Sequence, residues 1–210
     1  MYKLYLLLFI IAITSSLAKA QKIFSEGVIK YDVFTNNADK PNGLYVVTVK
    51  SGFTKRELVM NTGFNNVAIY NHKTGTTTSL NIDQENKYAL VMSAEEVKEK
   101  NKRFEKASFT AIDQKKKLAG YASMASKVIY TNGEQAMFFY TSEMLPPDES
   151  FNTMFPGLKG IPLEYELKSA TATNIRFVAS VVETKSIDLN TFEIPKDYKM
   201  VTRQELESMK

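Results

Sequence analysis

Apolar and polar residues alternate with period two along most of this chain, and no other feature restricts its fold as tightly. In "GVIKYDVFT", Ile29, Tyr31 and Val33 fall on one face and Lys30 and Asp32 on the other. In "IPLEYELK", Ile161, Leu163, Tyr165 and Leu167 point one way, and Glu164, Glu166 and Lys168 the other. Successive side chains of a strand project to opposite faces, so this pattern marks a sheet with one face buried. Short turn-rich links separate the runs: Asn36 to Gly43, Ser51-Gly52, "HKTG" and Asn132-Gly133. They are too short for the crossovers that parallel strands need, which predicts an antiparallel meander. Asn132-Gly133 predicts a type I′ hairpin pairing "SKVIYT" with "EQAMFFYTS". The basic stretch "DQKKK", Asp113 to Lys117, reads as a further solvated hairpin tip.

The period breaks in three places. "SAEEVKEKNKRFEK" opens with Ser93 three residues before Glu96, a capping box, and carries only Ala94, Val97 and Phe104 at helical spacing. It reads as a solvated helix with a thin apolar stripe, or as a lid or partner-binding helix. The second break is "PPDESFNTMFPGLKGIP", where Asp148 is placed to cap a short helix over 149–155. Phe151, Met154 and Phe155 stand at i, i+3 and i+4 and would form its buried face. Gly157 and Gly160 then allow a bend that returns the chain to the sheet. The third is a terminal helix, "RQELESMK", capped by Thr202 and Glu205. Roughly ten strands with two or three short helices give an α+β class, a curved antiparallel sheet with short helices packed on one face.

Residues 1–20 read as a secretory signal peptide. Lys3 precedes the apolar run "LYLLLFIIAI", and Ala18 and Ala20 supply the small residues of a cleavage site after Ala20. The run is too short to be a transmembrane anchor, which takes about 20 residues. The chain is therefore expected to be exported to the periplasm or the extracellular space, with 21–210 as a single domain. Lys and Arg number 27 against 23 Asp and Glu, a formal charge of +4 that is interspersed and argues against nucleic acid as a partner. There are no cysteines, so packing alone must hold the exported domain.

No catalytic, cofactor or metal motif is present. His72 is the single histidine; it lies in "YNHKTG", without a nucleophile signature, and is expected to be an exposed turn residue. Glu164 and Glu166 share a strand face but read as exposed carboxylates. The metal expectation is none, since clustered ligands are missing. One feature is less neutral. Met137, Phe139, Met144, Phe151, Met154 and Phe155 gather around the bend. They form either ordinary core or the wall of a pocket for an apolar ligand, with 149–155 as its plug.

"AGY" at 119–121, "YTSEMLP" at 140–146, "FPGLKGIPLEYEL" at 155–167 and "FEIPKDYKMVTRQEL" at 192–206 together resemble a family of small exported bacterial proteins of unknown function. The third stretch is similar to the motif of the GLPGLI family, with Lys159 in place of the central proline. A cysteine common after the Gly-Tyr pair in that family is replaced here by Ser123 and Met124. The resemblance implies the fold of the periplasmic lipoprotein carriers LolA and LolB, a half-barrel whose concave side is partly plugged by helices. It implies a non-enzymatic protein that binds a lipid or other apolar ligand. The other expectation is an envelope scaffold or protein-interaction module with a protein partner and no small ligand.

Overall fold

The computed structural model describes residues 21–83, 86–168 and 173–208. The signal peptide assigned to 1–20, the middle of "DQEN" and most of the "SATAT" link lie outside the described residues.

The first described strand, β1 (Lys22–Ile23), is followed by a meander of β2 (Glu26–Thr35), β3 (Gly43–Lys50), β4 (Phe53–Met60), β5 (Asn65–Asn71), β6 (Thr76–Asp83) and β7 (Asn86–Met92). Helix α1 (Ala94–Asn101) and a 3-10 turn, Lys102–Phe104, come next. A second meander follows: β8 (Ser108–Leu118), β9 (Tyr121–Ile129) and β10 (Gln135–Thr141), then the short β11 (Met144–Leu145). Beyond the bend lie β12 (Ile161–Lys168), β13 (Asn174–Glu183), a 3-10 turn at Leu189–Phe192, β14 (Lys199–Val201) and α2 (Arg203–Ser208).

Among the described residues β1 and β11 form a separate parallel pair, and the other twelve strands form one sheet in the order β14-β7-β6-β5-β4-β3-β2-β13-β12-β10-β9-β8. Its neighbours are antiparallel except β14 on β7. The two meanders are joined where β13 docks beside β2, with Phe177 opposite Val33. The sheet stays open between its edges β14 and β8. Register shifts at Phe139/Tyr140 and Ala179/Val181 mark bulges, which bend strands and sharpen their twist. The result is the expected curved half-barrel, with α1, the turn after it and the bend segment on the concave face and the 3-10 turn Leu189–Phe192 on the outer one.

The concave face carries the main core. Ile29, Val33, Val128, Phe138, Ile161 and Leu163 are buried there, and alternation places them. A smaller cluster on the outer face packs Val28, Ile69, Ile187 and Phe192, with Phe53 stacked on Phe192 at 5.6 Å. Both capping boxes form: Ser93 accepts from the Glu96 amide while the Glu96 carboxylate accepts from the Ser93 amide at 2.8 Å, and Thr202 pairs with Glu205 in the same way.

Three local expectations need correction. The Asn132-Gly133 hairpin forms, but not as a type I′ turn. Tyr130 pairs with Glu134, and only Gly133 has positive φ (83°), so the loop has three residues. The Asn132 side chain accepts from the Glu134 amide at 3.0 Å and stabilises that alternative. "DQKKK" is not a hairpin tip. It lies inside β8, and the reversal comes at Ala119-Gly120. Finally, 149–155 is not a helix but a run of turns. Its backbone bonds reach back three positions rather than four, as in Phe155 N–H to Asn152 O at 2.8 Å. Asp148 and Asn152 draw local donors and acceptors into side-chain bonds that compete with helical ones.

A cavity on the concave face

The bend segment crosses the mouth of the half-barrel and is tied to the sheet on several sides. Tyr130 donates to the Met154 carbonyl at 2.6 Å, and Tyr31 to the Pro162 carbonyl at 2.9 Å. Arg56 donates to the Phe151 carbonyl at 3.1 Å. Asn152, itself buried, donates to the Gly160 carbonyl at 2.9 Å and so closes the bend on itself. Phe155 inserts into the core against Phe138, with ring centroids 4.4 Å apart, and against Tyr165 at 5.7 Å.

Between this segment, α1 and the first meander lies a cavity of about 900 Å³. Val97, Phe104, Phe151, Met154 and Phe155 supply an apolar wall. The floor is different. β4, β5 and β6 turn Arg56, Asn66, Tyr70, Thr77 and Ser79 toward the space, because alternation puts them on the same face as the core of β2 and β3. Tyr31, Tyr45 and Tyr165 join the two surfaces, with Tyr31 5.7 Å from Tyr45 and 5.9 Å from Tyr165. Burial pushes these three hydroxyls up, and the Arg56 guanidinium only partly counteracts it. They are neutral donors at any physiological pH. Burial also takes Tyr130 up to about 12.

The residues expected to form an apolar site divide into three groups. Phe151, Met154 and Phe155 line the cavity. Met144 is buried in the main core, away from the cavity lining. Met137 and Phe139 lie on the outer face of β10, because it is Phe138 that turns into the core. Met137 is 50% exposed, and Phe139 is covered by the Lys116 ammonium 3.7 Å above its ring. The polar floor was not anticipated, although the alternation of "FTKRELVM" and "TTTSLNID" against their neighbours carries it.

His72 also departs from expectation. It is not an exposed turn residue: its side chain is only 9% exposed and joins the sheet to the bend. Nε2 accepts from the buried Thr54 hydroxyl at 2.7 Å, and Nδ1 contacts both the Asp148 carboxylate and the Ser150 hydroxyl. A neutral imidazole with its proton on Nδ1 satisfies these partners, an assignment made from the network. Burial lowers His72 below its ordinary value even though Asp148 pulls the other way. Burial raises Asp148, but hydrogen bonds from Ser150 and the attraction of His72 more than offset it. Serine, histidine and aspartate do meet here, yet not as a relay. Carboxylate and hydroxyl share one ring nitrogen, and Ser150 donates to Asp148 at 2.5 Å. A nucleophilic relay needs them on opposite nitrogens, and the hydroxyl that does lie opposite Asp148, that of Thr54, is fully buried and out of reach of a substrate. Glu164 is likewise not an exposed carboxylate. It is 15% exposed, held by Lys116 at 2.5 Å and by Arg176 at 3.7 Å on the outer face.

Among the described residues no group of three or more His, Cys, Asp or Glu is placed to hold a metal ion, and no helix is long and apolar enough to cross a membrane. No family model matches the chain, and no curated protein matches its sequence. Solved structures do overlap with it. PNGF-II superposes over 88% of this chain with a TM-score of 0.53 and 14% identity, and this chain spans 33% of PNGF-II. An uncharacterized conserved protein from Thermus thermophilus overlaps 86% of this chain and 93% of its own at a TM-score of 0.49 and 7% identity. MucB overlaps 88% of this chain and 63% of its own at 0.42 and 10% identity. At such identities the likeness to PNGF-II is one of fold alone, and the other two overlaps are too loose to add to it.

Proposed function

We propose that the protein is an exported, non-enzymatic binding protein that holds a ligand with a substantial apolar part in the concave cavity. One observation carries this reading. A space of about 900 Å³ stays open beneath the bend segment, walled by Val97, Phe104, Phe151, Met154 and Phe155. Binding cavities commonly measure about 300–1,000 Å³ and combine apolar walls with a few polar groups. Apolar surface removed from water stabilises a complex by about 25 cal/mol per Å², so one acyl chain needs no conspicuous binding motif. The geometry around His72 supports the non-enzymatic part, since Ser150 and Asp148 compete for one nitrogen and the Thr54 hydroxyl on the other is fully buried.

Native mass spectrometry of gently purified protein, followed by solvent extraction, tests the reading. The expected result is a bound amphiphile near stoichiometry, or saturable uptake of an added acyl probe. Protein that carries no lipid and takes up no probe would overturn it and favour an envelope interaction module.

A further inference from the structure

Arg56 sits on the cavity floor, partly withdrawn from water, with no carboxylate in ion-pair reach among the described residues. A guanidinium has five N–H donors in a planar fork. One bond goes to the Phe151 carbonyl, and the Tyr45 hydroxyl lies beside the group. Its neighbours on the floor are neutral: Asn66, Tyr70, Thr77 and Ser79. At the rim Lys98, Lys100 and Arg103 also lack ion pairs among the described residues, and they outnumber the rim acids Glu105 and Glu149. A cation partly withdrawn from water without a counter-charge is costly, and a cleft with an excess of positive charge favours the opposite sign.

From this we infer that the ligand is an anionic amphiphile whose single carboxylate or phosphate head pairs with Arg56 while its tail lies along Val97, Phe104, Met154 and Phe155. The inference rests on the binding reading above and adds the charge of the head and the residue that selects it. Carboxylate and phosphate both match the guanidinium fork, so the shared chemistry is the anion. The cavity itself argues against a bare anion. Phe151 offers its carbonyl to Arg56 and is also part of the apolar wall, so the cationic and greasy surfaces meet at one residue.

The test is calorimetric titration of the full chain with dodecanoate, dodecyl phosphate, 1-dodecanol and dodecyltrimethylammonium below their micelle concentrations, with inorganic phosphate as the tail-less control. The two anionic amphiphiles are expected to bind at least about tenfold more tightly than the alcohol, the usual worth of a charged hydrogen bond. Inorganic phosphate is expected not to bind measurably. Arg56→Gln should erase the preference, read as the ratio of anionic to alcohol affinity within the variant, whereas Arg56→Lys should keep part of it. Lys98→Gln with Lys100→Gln should change it less than threefold or so, because exposed charges are screened. Equal binding of anionic and neutral amphiphiles overturns this inference and leaves the binding function standing. No binding of any amphiphile overturns both. Phosphate binding as tight as dodecyl phosphate overturns the role of the tail. The head-group comparison on the unaltered protein decides the matter even if Arg56→Gln fails to fold.

Discussion

A methyl group added at Gly160 would lie 2.4 Å from the Thr141 carbonyl oxygen and 2.7 Å from the Tyr140 ring. Those atoms belong to or adjoin a paired strand and cannot yield. Gly160→Ala should therefore cost more than about 1 kcal/mol, read as a lowered urea midpoint at unchanged slope. Gly157 differs, since a Cβ there meets open space and only its φ of +82° resists substitution. Gly157→Ala should cost about 1 kcal/mol, and Gly157→Asn less. An equal loss at both positions would contradict this account. His72 carries a second residue-scale prediction. Its folded pKa is lowered by burial, so on acidification the unfolded chain takes up the proton first. The contribution of His72 to stability is thus complete above its ordinary value of 6.5 and is lost as pH falls from there through the folded value. Asp148, also lowered, adds a loss of the same sign further down, below its ordinary 3.8. Melting temperature should decline from pH 7 to 5, and His72→Gln should flatten that decline. An unchanged slope in the variant would remove His72 as its source.

Among elements, the bend segment shows how the same composition serves two roles. Phe155 is 3% exposed and packed between aromatic rings, whereas Met137 is 50% exposed on the opposite face of β10. Phe155→Ala should cost about 3–5 kcal/mol and Met137→Ala no more than about 0.5. Chemical denaturation of the two single variants checks the contrast, and comparable losses would contradict the face assignment. Helix α1 is solvated, as "SAEEVKEKNKRFEK" suggests, with no buried residue of its own, and is anchored through Phe104 in the turn that follows. Its start was legible because a capping box is a local device. The bend was legible as a bend, from Pro156, Gly157 and Gly160, but not as a run of turns. Asp148 and Asn152 hold it in that form through partners that sequence spacing does not reveal.

At the scale of the whole molecule, the docking of β13 against β2 turns two meanders into one sheet, and a single core spans both. One cooperative transition is expected, with far-ultraviolet and tyrosine circular dichroism tracing coincident urea curves. Separated transitions would mean that the meanders unfold apart. Legible in the residue order were the antiparallel strands, most of their partners and the inward set of Ile29, Tyr31, Val33, Leu163 and Tyr165. Alternation and short links act over a few residues, and any register slip would send those side chains to the wrong face. Folding in three dimensions alone settles that the His72 side chain is mostly covered, that Met137 and Phe139 face outward, and that Arg56 shares a cavity with Phe151. Those outcomes depend on contacts between distant segments, such as Arg56 with Phe151, 95 residues apart, and Tyr31 with Pro162, 131 apart. A side chain's place along its own strand says which face it takes. What lies across from that face is settled only when the bend crosses the mouth of the half-barrel and leaves a polar floor beneath an apolar wall.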